Sequence, residues 1–147
     1  MTDIPLIVNA DDYGYTPGVS EGILESFREG LVTSTSVMTT HADRGSLERL
    51  GAAAGEGLGI GVHINLTKGE PAGETMRKAL PDGLPSDPAK LADLPRSVLG
   101  DETSVQIERL VGHGIEPGHL DTHHHVQEDM RIFDLLLERA GRLGVAL

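Results

Sequence analysis

The 147-residue sequence contains no cysteine. That absence excludes a disulfide framework and a thiolate nucleophile, so any metal site must be built from histidine and carboxylates, while the redox compartment stays open. No apolar run approaches the ~20 residues needed to cross a bilayer, so membrane insertion is not expected. Basic residues are scarce: 12 Lys and Arg stand against 23 Asp and Glu, for a formal net charge of -11. Phosphate backbones are bound by clustered cations, so nucleic acid is not an expected partner. The first residues, MTDIPLIVNADDYG, carry no basic leader, and their short apolar stretch runs into two aspartates rather than a small-residue cleavage site. A cytoplasmic address is expected on that ground alone. The length suits one domain, residues 1–147, around one core.

Strand and helix signals alternate along the chain. Ile4 to Ala10 reads as a buried strand, because a β-branched apolar run ends in Asn9, two aspartates and Gly14. Thr16 and Pro17 then match a helix cap followed by proline in the first turn, Val19, Ile23 and Phe27 recur every four residues, and Gly30 supplies a stop. Thr33 to Met38 reads as a second strand. Leu47, Leu50 and the alanines at 52–54 predict a helix ending near Gly55 and Gly57. In the run LGIGVHINL, Leu58, Ile60, Val62 and Ile64 fall on one face of a strand, and Gly59, Gly61, His63 and Asn65 on the other. Lys68 to about Gly100 shows no sustained period and is expected to be a long loop with one short helix. A helix is predicted over 105–111. HLDTHHHV should be the next strand, followed by a helix with Met130, Phe133, Leu137 and Ala140 on one face. Val145 to Leu147 resembles the opening of a further buried strand. The pattern predicts an α/β fold with a mainly parallel sheet or barrel wall.

Three constellations point to chemistry. Strand alternation through HLDTHHHV would align His119, Asp121, His123 and His125 on one face. Asp11 and Asp12 lie at the carboxyl end of the first predicted strand, where ligands bind in parallel sheets and barrels. Because adjacent residues diverge, one carboxylate can ligate a metal while the other acts on water or substrate; a polar turn with a helix cap is the bland alternative. His63, alone, would be read as a satisfied core histidine. All three features converge on one rim of a parallel sheet, and one carboxylate with two imidazoles is a common protein contribution to an open metal site.

The ordered blocks LIVNADDYG, GLVTSTSVM, GIGVHINLTKGEP and HLDTHHHV resemble the YdjC-like carbohydrate deacetylases, which include chito-oligosaccharide and hopanoid-biosynthesis deacetylases. The resemblance implies an irregular (β/α) barrel, of which this chain holds the amino-terminal part, and implies metal ligation by Asp12, His63 and His123 with Asp11 as catalytic base. It implies Mg2+ as the cofactor, whereas the donor types suit Zn2+ or another transition ion. The implied reaction is metal-dependent hydrolysis of the acetyl group from an N-acetylated amino sugar. Family members often dimerise, which implies a homodimer. His125 is the candidate general acid, and His119 and Asp121 are candidate orienting groups. Family members commonly read HHHVH, and here Gln127 takes the final position. A metal-dependent phosphoesterase and a catalytically reduced metal- or sugar-binding remnant are the competing readings.

Overall fold

The computed structural model describes residues 4–147. Four strands, β1 (Asn9–Tyr13), β2 (Ser34–Val37), β3 (Gly59–Ile64) and β4 (His119–Thr122), form one sheet in the order β1-β2-β3-β4 with every pairing parallel. Between and after them lie α1 (Pro17–Arg28), α2 (Arg44–Gly55), α3 (Glu74–Ala79), α4 (Arg96–Val111) and α5 (Met130–Leu143). Sequential strand order without reversal, combined with the right-handed habit of parallel crossovers, places successive helices on one side of the sheet, as in a barrel wall. Accordingly, Val37, Ile60, Val62, Ile64 and Leu120 share one core with Leu24, Leu50, Leu110 and Leu136 of the helices. The expected α/β architecture is therefore present.

The opposite face of the sheet is different in kind. Its register places Asn9, Ser34, Ser36, Gly59, Gly61, His63, His119 and Asp121 there, small or polar residues throughout. A side chain at Gly61 would run into the His119 ring, so glycine is needed for that ring to lie across β3.

Several boundaries differ from the sequence expectation. The first strand begins at Asn9 and takes in both aspartates, while Ile4, Leu6 and Ile7 are exposed. Their apolar character suggested burial, but pairing with β2 starts only at Val8, whose carbonyl accepts from Thr33 N–H and Ser34 N–H. The region 68–100 holds α3, a 3-10 helix over Pro88–Asp93 and the first turns of α4, which starts at Arg96 rather than near 105. Its period was hidden because its buried face carries Glu102, Thr103 and Gln106 among Leu99, Ile107 and Leu110. On α5 the buried stripe is Ile132, Leu135, Leu136 and Ala140, whereas Met130 and Leu137 of the expected stripe are exposed. The two stripes lie one step apart around the helix, and both fit a 3.6-residue period. Beyond β4, Leu120 N–H donates to Ala146 O at 2.9 Å, so the last residues pair in parallel with the sheet but remain largely exposed.

The polar residues of α4 anchor the β3–α3 loop. Glu102, fully buried, accepts from Ala72 N–H (2.9 Å), Gly73 N–H (2.7 Å) and Gln106 Nε2 (2.7 Å). Gln106 in turn brackets the Asn65 backbone, donating to its carbonyl and accepting from its N–H. Glu102→Ala would leave the buried Gly73 N–H and the half-buried Ala72 N–H without their partner, and chemical denaturation should show a loss of about 3 kcal/mol. A loss below about 0.5 kcal/mol would mean that water replaces the carboxylate.

Candidate metal centre

A one-residue bulge gives the site its shape. Ala10 pairs with Thr35 and Tyr13 with Val37, so β1 spends three steps where β2 spends two. Asp12 absorbs the extra residue at φ 69, an uncommon conformation for a residue with a Cβ. In a regular strand Asp11 and Asp12 would point to opposite faces. The bulge turns both toward His63, each forming a compact donor set with that histidine.

One set is Asp12, His63 and His123, and the other is Asp11, His63 and Asp121. Asp12 Oδ1 lies 3.3 Å from His63 Nε2 and 3.1 Å from His123 Nδ1. It is nonetheless buried with no hydrogen bond of acceptable geometry among the described residues. A buried carboxylate oxygen facing two imidazole nitrogens, bonded to neither, fits a shared cation among the three atoms. The second set has a different explanation. His63 Nδ1 lies 2.7 Å from Asp121 Oδ1, a charge-assisted hydrogen bond that leaves Nε2 as the lone-pair donor on the Asp12 side. Asp121 thus takes the orienting place expected of it. His119 does not: it covers Gly61, and its Nε2 is buried without a partner among the described residues.

The electrostatics divide the two histidines. Burial disfavours the charged form of His63, but the Asp121 hydrogen bond and the charges of Asp121, Asp12 and Asp11 outweigh it and hold its pKa above the ordinary value. Burial lowers the pKa of His123, and the neighbouring His124 and His63 add to that against the opposing pull of Asp12.

The triple-histidine run leaves the strand after Thr122. His124 and His125 take consecutive left-handed conformations, at φ 57 and φ 52, so the expected alternation stops and His125 does not continue the His119–Asp121 face. His124 stacks on His123 at a centroid distance of 3.9 Å, with Thr67 Oγ1 3.0 Å from its Nδ1, so the anchored β3–α3 loop also props this turn. His125 is exposed and lines a cavity of about 520 Å3 with Asp11, His63, Asp121, Gln127 and Phe133. Gln127 accepts a hydrogen bond from Thr122 Oγ1 across the turn. Asp11, also exposed, accepts from Asn9 Nδ2 (2.8 Å) and Ser36 Oγ (3.1 Å), both on Oδ1.

Sequence reasoning passed over Asn9, Ser36 and Tyr15. Tyr15 lies beside the site, its ring centroid 6.4 Å from that of His123 and 5.4 Å from that of His41. The available signal was the polar triplet Ser34-Thr35-Ser36 in a fully buried strand. No helix among the described residues is long and apolar enough to cross a membrane.

Comparison with known proteins bears on the family and the fold. The family model for YdjC-like protein matches residues 5–147. A carbohydrate deacetylase of Geobacillus stearothermophilus is 37% identical over 137 residues, covering 92% of this chain and 56% of the relative. A chitooligosaccharide deacetylase of Salmonella schwarzengrund (strain CVM19633) is 37% identical over 147 residues, covering 97% and 58% respectively. Among solved structures, a proposed cellobiose-phosphate cleavage protein from Enterococcus faecalis V583 superposes with a TM-score of 0.82 at 29% identity, over 95% of this chain and 56% of that one. The chain thus spans little more than half the length of the relatives it matches, and it belongs to the YdjC-like protein family.

Proposed function

We propose that the protein acts as a metal-dependent hydrolase that removes acetyl groups from N-acetylated amino sugars, of the chito-oligosaccharide or glycolipid-linked N-acetylglucosamine kind. The observation that carries this reading is Asp12 Oδ1, buried between His63 Nε2 and His123 Nδ1 and without a hydrogen bond among the described residues, beside a second carboxylate held separately. The names of the curated relatives supply the substrate class.

Asp12, His63 and His123 would hold a divalent ion. Two imidazoles and one carboxylate suit zinc or another transition ion, and family resemblance favours magnesium. When bound, such an ion supplies positive charge that polarises an amide carbonyl and brings the pKa of water toward neutrality. Asp121 fixes the His63 tautomer and ring plane by accepting from Nδ1–H. Asn9 and Ser36 both donate to Oδ1 of Asp11, which leaves Oδ2 to take a proton from the attacking water. Collapse of the tetrahedral species breaks the C–N bond, releasing acetate, and the departing amine needs a proton. His125, in the same cavity, is the candidate donor.

The substrate ring would occupy that cavity, where Phe133 and Leu137 give it an apolar wall beside the polar Asp11 and Asp121. The test is release of acetate from N-acetylglucosamine oligomers by protein loaded with magnesium or zinc. Turnover that needs the metal supports a deacetylase. Stoichiometric metal without turnover on any acetylated amino sugar would instead favour a binding remnant.

A further inference from the structure

β2 lies between β1 and β3, so a β2 side chain on the polar face is the one placed to reach both Asp11 and His63. Ser36 occupies that position. Its Oγ lies 3.1 Å from Asp11 Oδ1, 3.4 Å from His63 Nδ1 and 3.4 Å from Asn9 Nδ2. Asn9 Nδ2 independently donates to the same Asp11 oxygen at 2.8 Å.

Ser36 is completely buried in a strand whose four residues are all buried. Valine or alanine would suit such a strand, since burying a hydroxyl carries a desolvation penalty unless it is bonded. Its neighbour Thr35 satisfies its own hydroxyl on a backbone carbonyl, that of Ala10, which serves the sheet itself. Ser36 instead sends its hydrogen bond to a side chain whose residue is exposed. An exposed aspartate at the end of a strand would ordinarily turn freely toward water. Two donors on one oxygen remove that freedom and fix which oxygen is left open.

We propose that Asn9 and Ser36 form a positioning clamp for Asp11, holding Oδ1 so that Oδ2 faces the reacting water, with Ser36 setting the distance between the Asp11 carboxylate and the His63 ring. This rests on the reading of Asp11 as the base. Neither residue is assigned to the metal or to the substrate. Their removal should therefore disturb the geometry of the reaction while leaving zinc and substrate binding in place.

The experiment compares the wild type with S36A and N9A by crystal structures of the zinc-loaded proteins, zinc titration calorimetry and steady-state kinetics. The expected result is a displaced Asp11 carboxylate in each variant. kcat should fall roughly 10–100-fold, the scale of misplacing a reacting group by about 1 Å, with KM little changed. The zinc Kd should stay within about threefold, well short of the 10–100-fold that losing a ligand-orienting group costs. Because Asn9 is exposed, N9A decides the matter even if S36A fails to fold. An unmoved Asp11 with unchanged kcat would overturn the clamp, as would loss of zinc binding in parallel with activity. If the wild type releases no acetate from any substrate, the deacetylase reading fails, and the crystal structures with the zinc titrations still decide the clamp.

Discussion

Asp12→Ala is expected to remove metal binding, with a loss in affinity exceeding roughly 100-fold by calorimetry. Removing a group that merely orients a ligand typically costs 10–100-fold, and removing a ligand itself costs more. In the metal-free protein Asp12 Oδ1 is buried without a hydrogen bond among the described residues, 3.3 Å from His63 Nε2 and 3.1 Å from His123 Nδ1. Metal-dependent thermal stabilisation should disappear in the alanine variant, because binding to the native state alone raises stability by mass action. One complication is the backbone: Asp12 sits at φ 69, and alanine tolerates that region less well than aspartate does. Asp12→Asn keeps the local preference while removing the charge, and it should lose metal without losing the bulge. If either variant binds zinc as tightly as the wild type, Asp12 is not a ligand.

Asp11→Asn should separate chemistry from binding. General-base catalysis contributes roughly 10²–10⁴-fold, and kcat should fall by that factor. Metal stoichiometry should remain, since Asp11 belongs to the set whose shared histidine already directs Nδ1 at Asp121. Asparagine is nearly isosteric and can still place an amide oxygen between Asn9 and Ser36, which keeps the local packing. Acetate release within about threefold of the wild type would remove Asp11 from the role of base, because that falls far below the usual contribution of a catalytic proton acceptor.

The alternation of strands and helices was legible because hydrophobic periodicity carries it. β3 is the clearest case: its apolar residues Ile60, Val62 and Ile64 point into the core, and His63 faces away. The convergence of Asp12, His63 and His123 followed from the same reasoning, since the carboxyl ends of parallel strands share a rim. What the sequence concealed has identifiable causes. α4 buries Glu102 and Gln106 on its core face, satisfied by the loop backbone, and buried polar residues erase the apolar period that marks a helix. Nothing in NADD announces a bulge, because a left-handed aspartate depends on how β1 registers against β2. The run HHHV reads as extended, yet two consecutive left-handed histidines end the strand, stabilised by Thr67 far along the chain and by stacking on His123. Ser36 was legible only as an oddity, a hydroxyl in a buried strand, until its neighbours were known.

One ion held by Asp12, His63 and His123 underlies the proposed chemistry. Anomalous diffraction from zinc-loaded crystals, collected at the zinc absorption edge, tests this most directly. The predicted result is a single peak within roughly 2.0–2.2 Å of a carboxylate oxygen of Asp12, His63 Nε2 and His123 Nδ1. A peak between Asp11, His63 Nδ1 and Asp121, or no peak near His63 at saturating zinc, would contradict it.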